Sequence, residues 1–427
     1  MNLYDAAYLA ALPVMAPAIA YKRLRHGKYR DSLPGMLGRR LPAPPLAAPG
    51  TQRCWLHSVS VGETVAAGAV YREFGRRELG WEFLCTTTTE TGQAQARSTF
   101  EGTGHFAFAP ADFSWIVRRF HQAYNPSLYL FFETEIWPNN LIHCGRHGLP
   151  VFMVNGKLSD RSSRRYARAG SIIREPLSHV RRFFMQTQRD AERLERIIRD
   201  PARIEVTGNV KFDALPAPLT PEERAGFRRL WGAADDAVVI LAGSTHPGEE
   251  ELIWKAYEET RAAHPNALLV VAPRHPERFD AVAADFAKRG ARVHRTSTGD
   301  NPAPGETDVV LIDQMRVLAR SFGAAEIALV AGSWSPTVGG HNLLEAGVHG
   351  IPVLRGPHMH SQPDIVRVLG PKQGAPEVAG EQLAEVLTRL CGDPGERARL
   401  GGKAAAASAS NRGAAVRVVD RVLELLK

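Results

Sequence analysis

In the stretch "GSWSPTVGGHNLLEAGVHG", Gly339 and Gly340 stand before His341 and Asn342, and a lone acid, Glu345, follows inside an apolar run. Glycines suit a place where backbone comes close to a ligand. A carboxylate just beyond can accept hydrogen bonds from two ribose hydroxyls, as acids do in dinucleotide folds; an acid near a helix start is also favourable without any ligand. "APRHPERF" offers Arg274 and His275, a fork and a ring able to hold a phosphate or carboxylate. "AGSTHPGEEE" sets Ser244, Thr245 and His246 before three acids. The free N–H groups of a helix start accept an anion, while Ser or Thr capping with acids in the first turn explains the same residues.

The first half carries a second set. "HSVSVGET" contains Ser60, Gly62 and Glu63; "TTTTETG" contains Thr88 and Glu90; "FETEIWPN" contains Glu133 and Glu135; "VTGNVKFD" contains Lys211. Alternate residues of a strand share a face, so Glu133 and Glu135 are expected to project together. Two acids in a low-dielectric setting split their pKa values, which suits base chemistry. The plainer reading is that one caps a helix and the other pairs with an arginine.

These residues need elements to hold them. "RCWLHSVSV", "EFLCTTTT", "LYLFFETEIW" and "PVFMVNGK" read as strands, with helical patterns such as "GETVAAGAVYREFGRR", "ETGQAQARSTF" and "PNNLIHCGRHG" after the first three; "RFFMQTQ" and "RIEVTGNVKFD" end the half. The Pro-rich "ALPAPLTPEERAGFRRLWG" then interrupts, with a helix start signal at Thr220. The rhythm resumes in "VVILAGST", "ALLVVAPR", "ARVHRTS", "DVVLID", "IALVAGS" and "PVLRG". This alternation predicts an α/β protein with two Rossmann-like domains facing a cleft, whose ligands bind at the carboxyl ends of parallel strands. The expected division is 1–30, an N-terminal segment; 31–215, a first domain; 216–230, a linker; and 231–427, a second domain with a closing C-terminal helix.

The formal charge of +8 on 427 residues suits an acidic partner, and without a nucleic-acid signature that points to anionic lipid or a phosphorylated substrate rather than nucleic acid. Cys54, Cys85, Cys144 and Cys391 are far apart, which argues against a zinc site or disulfide framework and for a reducing compartment. The apolar stretch from Ala6 to Tyr21 is short for a bilayer span and holds Pro13 and Pro17; Lys22, Arg23, Arg25, Lys28 and Arg30 follow it. An apolar segment with a basic flank fits a membrane interface. The alternative is a helix packed on the protein's own surface. The Arg-rich run from Asp160 to Arg199 reads either as solvated helix faces or as a surface for a phosphate-bearing acceptor.

Taken together, "HSVSVGET", "TTTTETG", "ETEIWPN", "NGKLSDRS", "VTGNVKFD", "AGSTHPGEE", "APRHPERF", "GGHNLLEA" and "GIPVLRGPH" resemble, in order and spacing, the 3-deoxy-D-manno-octulosonic acid (Kdo) transferases of lipopolysaccharide assembly. The resemblance runs from about Tyr21 to the C-terminal helix. It implies a GT-B glycosyltransferase with a membrane-associating N-terminal helix at the cytoplasmic face of the inner membrane, peripheral or monotopic. The donor would be CMP-Kdo and the acceptor a phosphorylated lipid A precursor, lipid IVA. The transfer would be inverting, with no metal and no cofactor beyond the donor substrate. Donor contacts would fall to Ser244, Thr245, His246, Arg274, His275, Gly339, Gly340, His341, Asn342 and Glu345, with Glu345 on the ribose. Ser60, Gly62, Glu63, Thr88, Glu90, Glu133, Glu135 and Lys211 would line the acceptor side.

The chain departs from the family pattern in "YRDSLPGMLGRRLP": Gly35 stands where the family has the Glu expected to act as base. Asp31 and Glu63 are then the candidate bases. Arg316 stands where Gly is usual, and Ser361 where Asn is usual. The departure leaves open a GT-B transferase with another sugar or acceptor, or a catalytically impaired paralogue that binds lipid or partner enzymes.

Overall fold

The structure is a computed structural model that describes residues 2–26, 29, 31–39, 41, 51–100 and 104–427. It divides into two compact units, Met1–Ala214 with Asn411–Lys427, and Leu215–Ser410. Lys28 and Arg30 of the basic flank lie outside the described residues.

The first unit is built on β1 (Arg53–His57), β2 (Glu82–Thr87), β3 (Gly104–Phe108), β4 (Leu128–Phe132), β5 (Val151–Gly156), β6 (Arg182–Met185) and β7 (Ile204–Val206). All pairings are parallel, in the order β3-β2-β1-β4-β5-β6-β7. Helices cover such sheets on both faces, so "RCWLH" and "LYLFF" are buried throughout instead of alternating. The chain moves outward from β1 in both directions, which places the switch point between the ends of β1 and β4. β3 is the strand that sequence reading did not find. "GHFAF" opens on glycine, is short and lies half-buried at the sheet edge, so it carries little of the apolar run that marks the others.

The second unit holds β8 (Val238–Thr245), β9 (Ala267–Pro273), β10 (Val293–Arg295), β11 (Val309–Leu311), β12 (Ile327–Val330) and β13 (Val353–Leu354), also all parallel, in the order β10-β11-β9-β8-β12-β13. Its switch point lies between β8 and β12. The turns after β8, β9 and β12 therefore open on one edge of the sheet.

Two parts of the expected division differ. Residues 216–230 are not a free linker. Thr220 caps the helix Pro221–Leu230 with a reciprocal Glu223 box, and Arg224 and Arg228 both pair with Glu326 beside β12, fastening the helix to the second unit. The closing helix Ala414–Leu426 belongs to the first unit, not the second. Its buried face of Ala414, Ala415, Val418, Val419 and Val422 packs into the same core as Cys54, Leu56, Val70 and Leu128. Sequence shows that face as amphipathic but not which sheet receives it.

At the N-terminus one helix runs from Leu3 to His26 through both Pro13 and Pro17. Asp5, fully buried, accepts hydrogen bonds from Ser114 N at 2.8 Å, Ser114 Oγ at 2.7 Å and Asn139 Nδ2 at 3.1 Å. Among the described residues no helix is long and apolar enough to cross a membrane. Arg316 has φ +70°, the left-handed region that favours glycine, which gives a physical reason for the glycine expected there.

The docking of the last helix rests on Asp213, whose oxygens accept from Gly413 N at 2.6 Å and Ala415 N at 2.7 Å. Asp213→Ala leaves those donors without their acceptor and should cost about 2 kcal/mol. Hydrogen exchange is expected to accelerate in Ala414–Leu426 while β4 and β5 stay protected; unchanged exchange in the helix would rule out this anchoring role.

Candidate functional site

The first unit gathers its charged residues at the switch point of its sheet. Ser60 caps the helix Val61–Arg76 by accepting from Glu63 N at 3.3 Å. Glu63 returns the favour: its oxygens accept from Ser60 Oγ and Val59 N, both at 2.8 Å. Thr88 Oγ1 donates to Val59 O at 3.3 Å and ties the neighbouring turn to the same loop. Burial pushes the Glu63 carboxyl up, against those hydrogen bonds and the Lys211 charge. Both of its oxygens thus serve the cap, a reciprocal arrangement that stabilises the helix start.

Beyond β4 the strand geometry stops at once. Glu133 has φ +55°, so the alternation expected to align Glu133 with Glu135 does not operate. Glu133 Oε1 instead meets Lys211 Nζ at 2.7 Å, a lysine where an arginine was the expected partner. Lys211 lies against Gly62, where a Cβ would stand 3.9 Å from Nζ. Glu135 takes the other part. Burial first, then the charges of Glu63 and Glu133, push its carboxyl up to about 7, with Trp137 Nε1 donating at 3.2 Å in opposition. Three carboxylates and one ammonium share the locality; the ammonium pairs with Glu133, and burial raises the proton affinity of the other two, with Glu135 brought to about 7.

Asp31, Gly35 and Glu90 sit apart from this group. With Arg97, Phe106 and Phe108 they line a pocket of about 420 Å³. Gly35 lies in the short helix Ser32–Met36, where a Cβ would approach Phe108 Cδ2 to 2.9 Å; close packing favours glycine there. Asp31 is exposed and makes no side-chain cap. Burial works to raise the Glu90 carboxyl, yet backbone and Ser32 hydrogen bonds outweigh it and hold it below the usual range; Ser32 Oγ donates at 2.8 Å.

In the second unit, β8 and β9 lose register between Gly243 and Thr245, and Ser244 has φ +60°. Thr245 O accepts from Arg274 N at 3.1 Å and Arg278 Nη1 at 3.2 Å, joining the two turns. His246 Nε2 lies 2.9 Å from His341 Nε2, the rings parallel, and His275 meets His246 edge-on at 5.4 Å. Burial first, then the cationic neighbours, hold His341 down to about 4; His246 is lowered for the same reasons. Glu345 stands in the first turn of Leu344–Gly347, with Asn342 Nδ2 donating at 3.3 Å. Burial raises its carboxyl, and the Arg274 charge pulls the other way.

The residue that sequence reading missed is Glu249. Buried, it accepts from Gly332 N at 2.7 Å, Trp334 N at 3.0 Å and His246 N at 3.0 Å, so one carboxylate fixes two loops. The three acids of "GEEE" do three jobs: Glu250 pairs with Arg278 at 2.8 Å, and the exposed Glu251 with Lys255 at 2.9 Å. The helix start expected to await an anion is thus lined by the chain's own acids. The only signal available was the spacing of Glu249, three residues after His246. The glycines also have a different task. Gly339 and Gly340 have φ of +83° and +84°. A Cβ on Gly339 would fall 2.5 Å from His360 Nε2 and Ser361 Oγ, and one on Gly340 would overlap Met359 Sδ. What approaches them is the segment His358–Ser361 of the same chain. Among the described residues no group of three or more His, Cys, Asp or Glu side chains is placed to hold a metal ion.

A sequence model of the 3-Deoxy-D-manno-octulosonic-acid transferase (kdotransferase) family matches residues 34–214. The 3-deoxy-D-manno-octulosonic acid transferase of Haemophilus influenzae is 31% identical over 99% of this chain and 97% of its own length. That of Bordetella pertussis is 33% identical over 98% and 99%. Among solved structures, UDP-GlcNAc 2-epimerase from Neisseria meningitidis, bound to UDP-GlcNAc, aligns with TM-score 0.59 at 16% identity, over 87% of this chain and 100% of its own. A glycosyltransferase from Rickettsia africae gives 0.55 at 12%, over 88% and 99%. These likenesses show the GT-B fold. With two relatives above 30% identity along nearly their whole length, the chain belongs to the 3-deoxy-D-manno-octulosonic acid transferase family of glycosyltransferases.

Proposed function

We propose that the protein transfers Kdo from CMP-Kdo to a phosphorylated lipid A precursor, lipid IVA, with inversion at the sugar, in lipopolysaccharide synthesis. The observation that carries this is the cluster of His246, His275, His341 and Arg274 near Glu345, on turns held together by one buried carboxylate. A nucleoside monophosphate sugar bearing a carboxylate needs cationic and dipolar groups for its anions, and an acid for its ribose. In this reading Glu345 takes the ribose hydroxyls, while Arg274 and the imidazoles stabilise the departing CMP without a metal.

Glu135 takes the acceptor's proton. A base works best when its pKa lies near the operating pH, and burial beside Glu63 and Glu133 brings Glu135 there. Glu63, expected as base, has both oxygens committed to the helix cap. Asp31 lies across the separate pocket and fits acceptor binding.

The membrane reading rests on an inversion. The N-terminal helix fixes its polar Tyr4 and Asp5 to the body and leaves Leu9, Leu12, Val14, Tyr21 and Leu24 exposed, with exposed Arg23 and Arg25 at its end. Exposed apolar residues on a helix with a basic end match the interface of an anionic bilayer. We place the protein at the cytoplasmic face of the inner membrane.

Purified protein with CMP-Kdo and tetra-acylated lipid A precursor is expected to yield a product heavier by whole Kdo units in intact-mass spectrometry. No mass gain with CMP-Kdo, but a gain with another nucleotide sugar, would replace this donor. Glu135→Gln should lower kcat by about 10² to 10⁴ with CMP affinity kept, and Glu63→Gln should act mainly on stability. Because the base must be ionised, kcat/KM of the parent should rise with pH through about 7 and level off above it; a flat profile, or full activity in Glu135→Gln, would remove Glu135 from the role. Glu249→Gln sets an amide against one of three backbone donors and should weaken CMP binding about tenfold by calorimetry, through the loops it holds.

A further inference from the structure

We propose that the His246–His341 pair takes up one proton when the anionic donor binds, so that the ligand itself creates positive charge in the site. The inference rests on the donor reading above and concerns these two rings alone.

The geometry sets the stoichiometry. At 2.9 Å between the two Nε2 atoms, one ring donates and the other accepts, and a single hydrogen lies between them. One further proton, taken from solvent at Nδ1 of the donating ring, gives an imidazolium that donates to its neutral neighbour, a charge-assisted bond. A second would put two N–H groups nose to nose and break the contact. Gly332 gives the His341 ring its place, since a Cβ there would lie 2.9 Å from His341 Nε2.

The surroundings set the resting state. From the turn after β9, Arg274, His275 and Arg278 face the pair, while Glu277 lies 3.7 Å from His275. From the turn after β8, Glu250 is paired with Arg278, and Glu249 serves three backbone donors. From the glycine loop, Glu345 has a carboxyl raised by burial, and His358 and His360 lie on the segment packed against Gly339 and Gly340. The balance without ligand therefore opposes a charged ring, in keeping with the lowered His246 and His341. A phosphate arriving beside Arg274 supplies the missing negative charge and reverses it. By linkage, affinity must then rise as pH falls, by up to tenfold per pH unit between the free and bound pKa values.

The test is calorimetry of the full chain with the methyl phosphodiester of CMP, which has no titrating group near neutrality, in buffers of differing ionisation enthalpy at about pH 6. The expected result is uptake approaching one proton per ligand. His341→Gln and His246→Gln, each folded by circular dichroism, should still bind but with uptake near zero and a flattened pH dependence. Binding by the parent without uptake, or parental uptake in both variants, overturns the inference while leaving the donor site intact. Absence of any binding by the parent overturns the donor reading itself, and the inference with it.

Discussion

The parallel sheet is the constraint on which the rest depends. A parallel strand must be followed by a crossover, so every strand ends on the same edge and every βα turn opens there. In the first unit the turns after β1 and β4 meet at the switch point, and these carry Ser60, Gly62, Glu63, Glu133 and Glu135. In the second unit the turns after β8, β9 and β12 carry the histidines, Arg274 and Glu249. Residues scattered along the chain become neighbours because of strand order, and the chemistry is then set by what each turn buries.

What is buried is charge, and the two units handle it differently. In the first, three carboxylates share one ammonium. Lys211 pairs with Glu133, the cap occupies both oxygens of Glu63, and Glu135, outside both arrangements, is raised to about 7. In the second, carboxylates act as ties. Glu249 accepts from three backbone donors, so its carboxylate ties two loops together.

The apolar runs made the parallel sheets legible, because strands buried on both faces show no alternation and the runs between turn signals are plain. Twelve of the strands coincide with runs read from sequence, and the edge strand Gly104–Phe108 does not, for want of such a run. The turns were legible as places but not as jobs. Glycines 339 and 340 read as room for a ligand and turned out to make room for Met359 and His360. "GEEE" read as one feature and holds three. Glu133 and Glu135 read as a strand pair, and a left-handed residue separates them. Each miss has the same origin: tertiary partners come from distant turns, and local spacing does not name them. The last helix shows this at the scale of a whole element, since its amphipathic pattern cannot say which core it closes.

The N-terminal helix is joined by buried polar contacts to the turn that carries Glu135. Asp112 accepts from Asn139 N at 3.0 Å, Asn140 N at 2.9 Å and Tyr8 Oη at 3.1 Å, and burial pushes its carboxyl up to about 7. Asp5 holds Asn139 from the other side. Asn139 and Asn140 open the helix that directly follows Glu135 and Trp137. Two carboxylates thus clamp the helix start beside Glu135, and one of them belongs to the helix that carries the exposed Leu9, Leu12 and Val14. A displacement of that helix would act on Asn139 through its hydrogen bond to the Asp5 carboxylate, a bond costly to leave unmade. The helix with the exposed apolar residues and the flank of Glu135 therefore rest on one buried polar knot of Asp5, Asp112 and Asn139, so that neither can shift without breaking hydrogen bonds that hold the other.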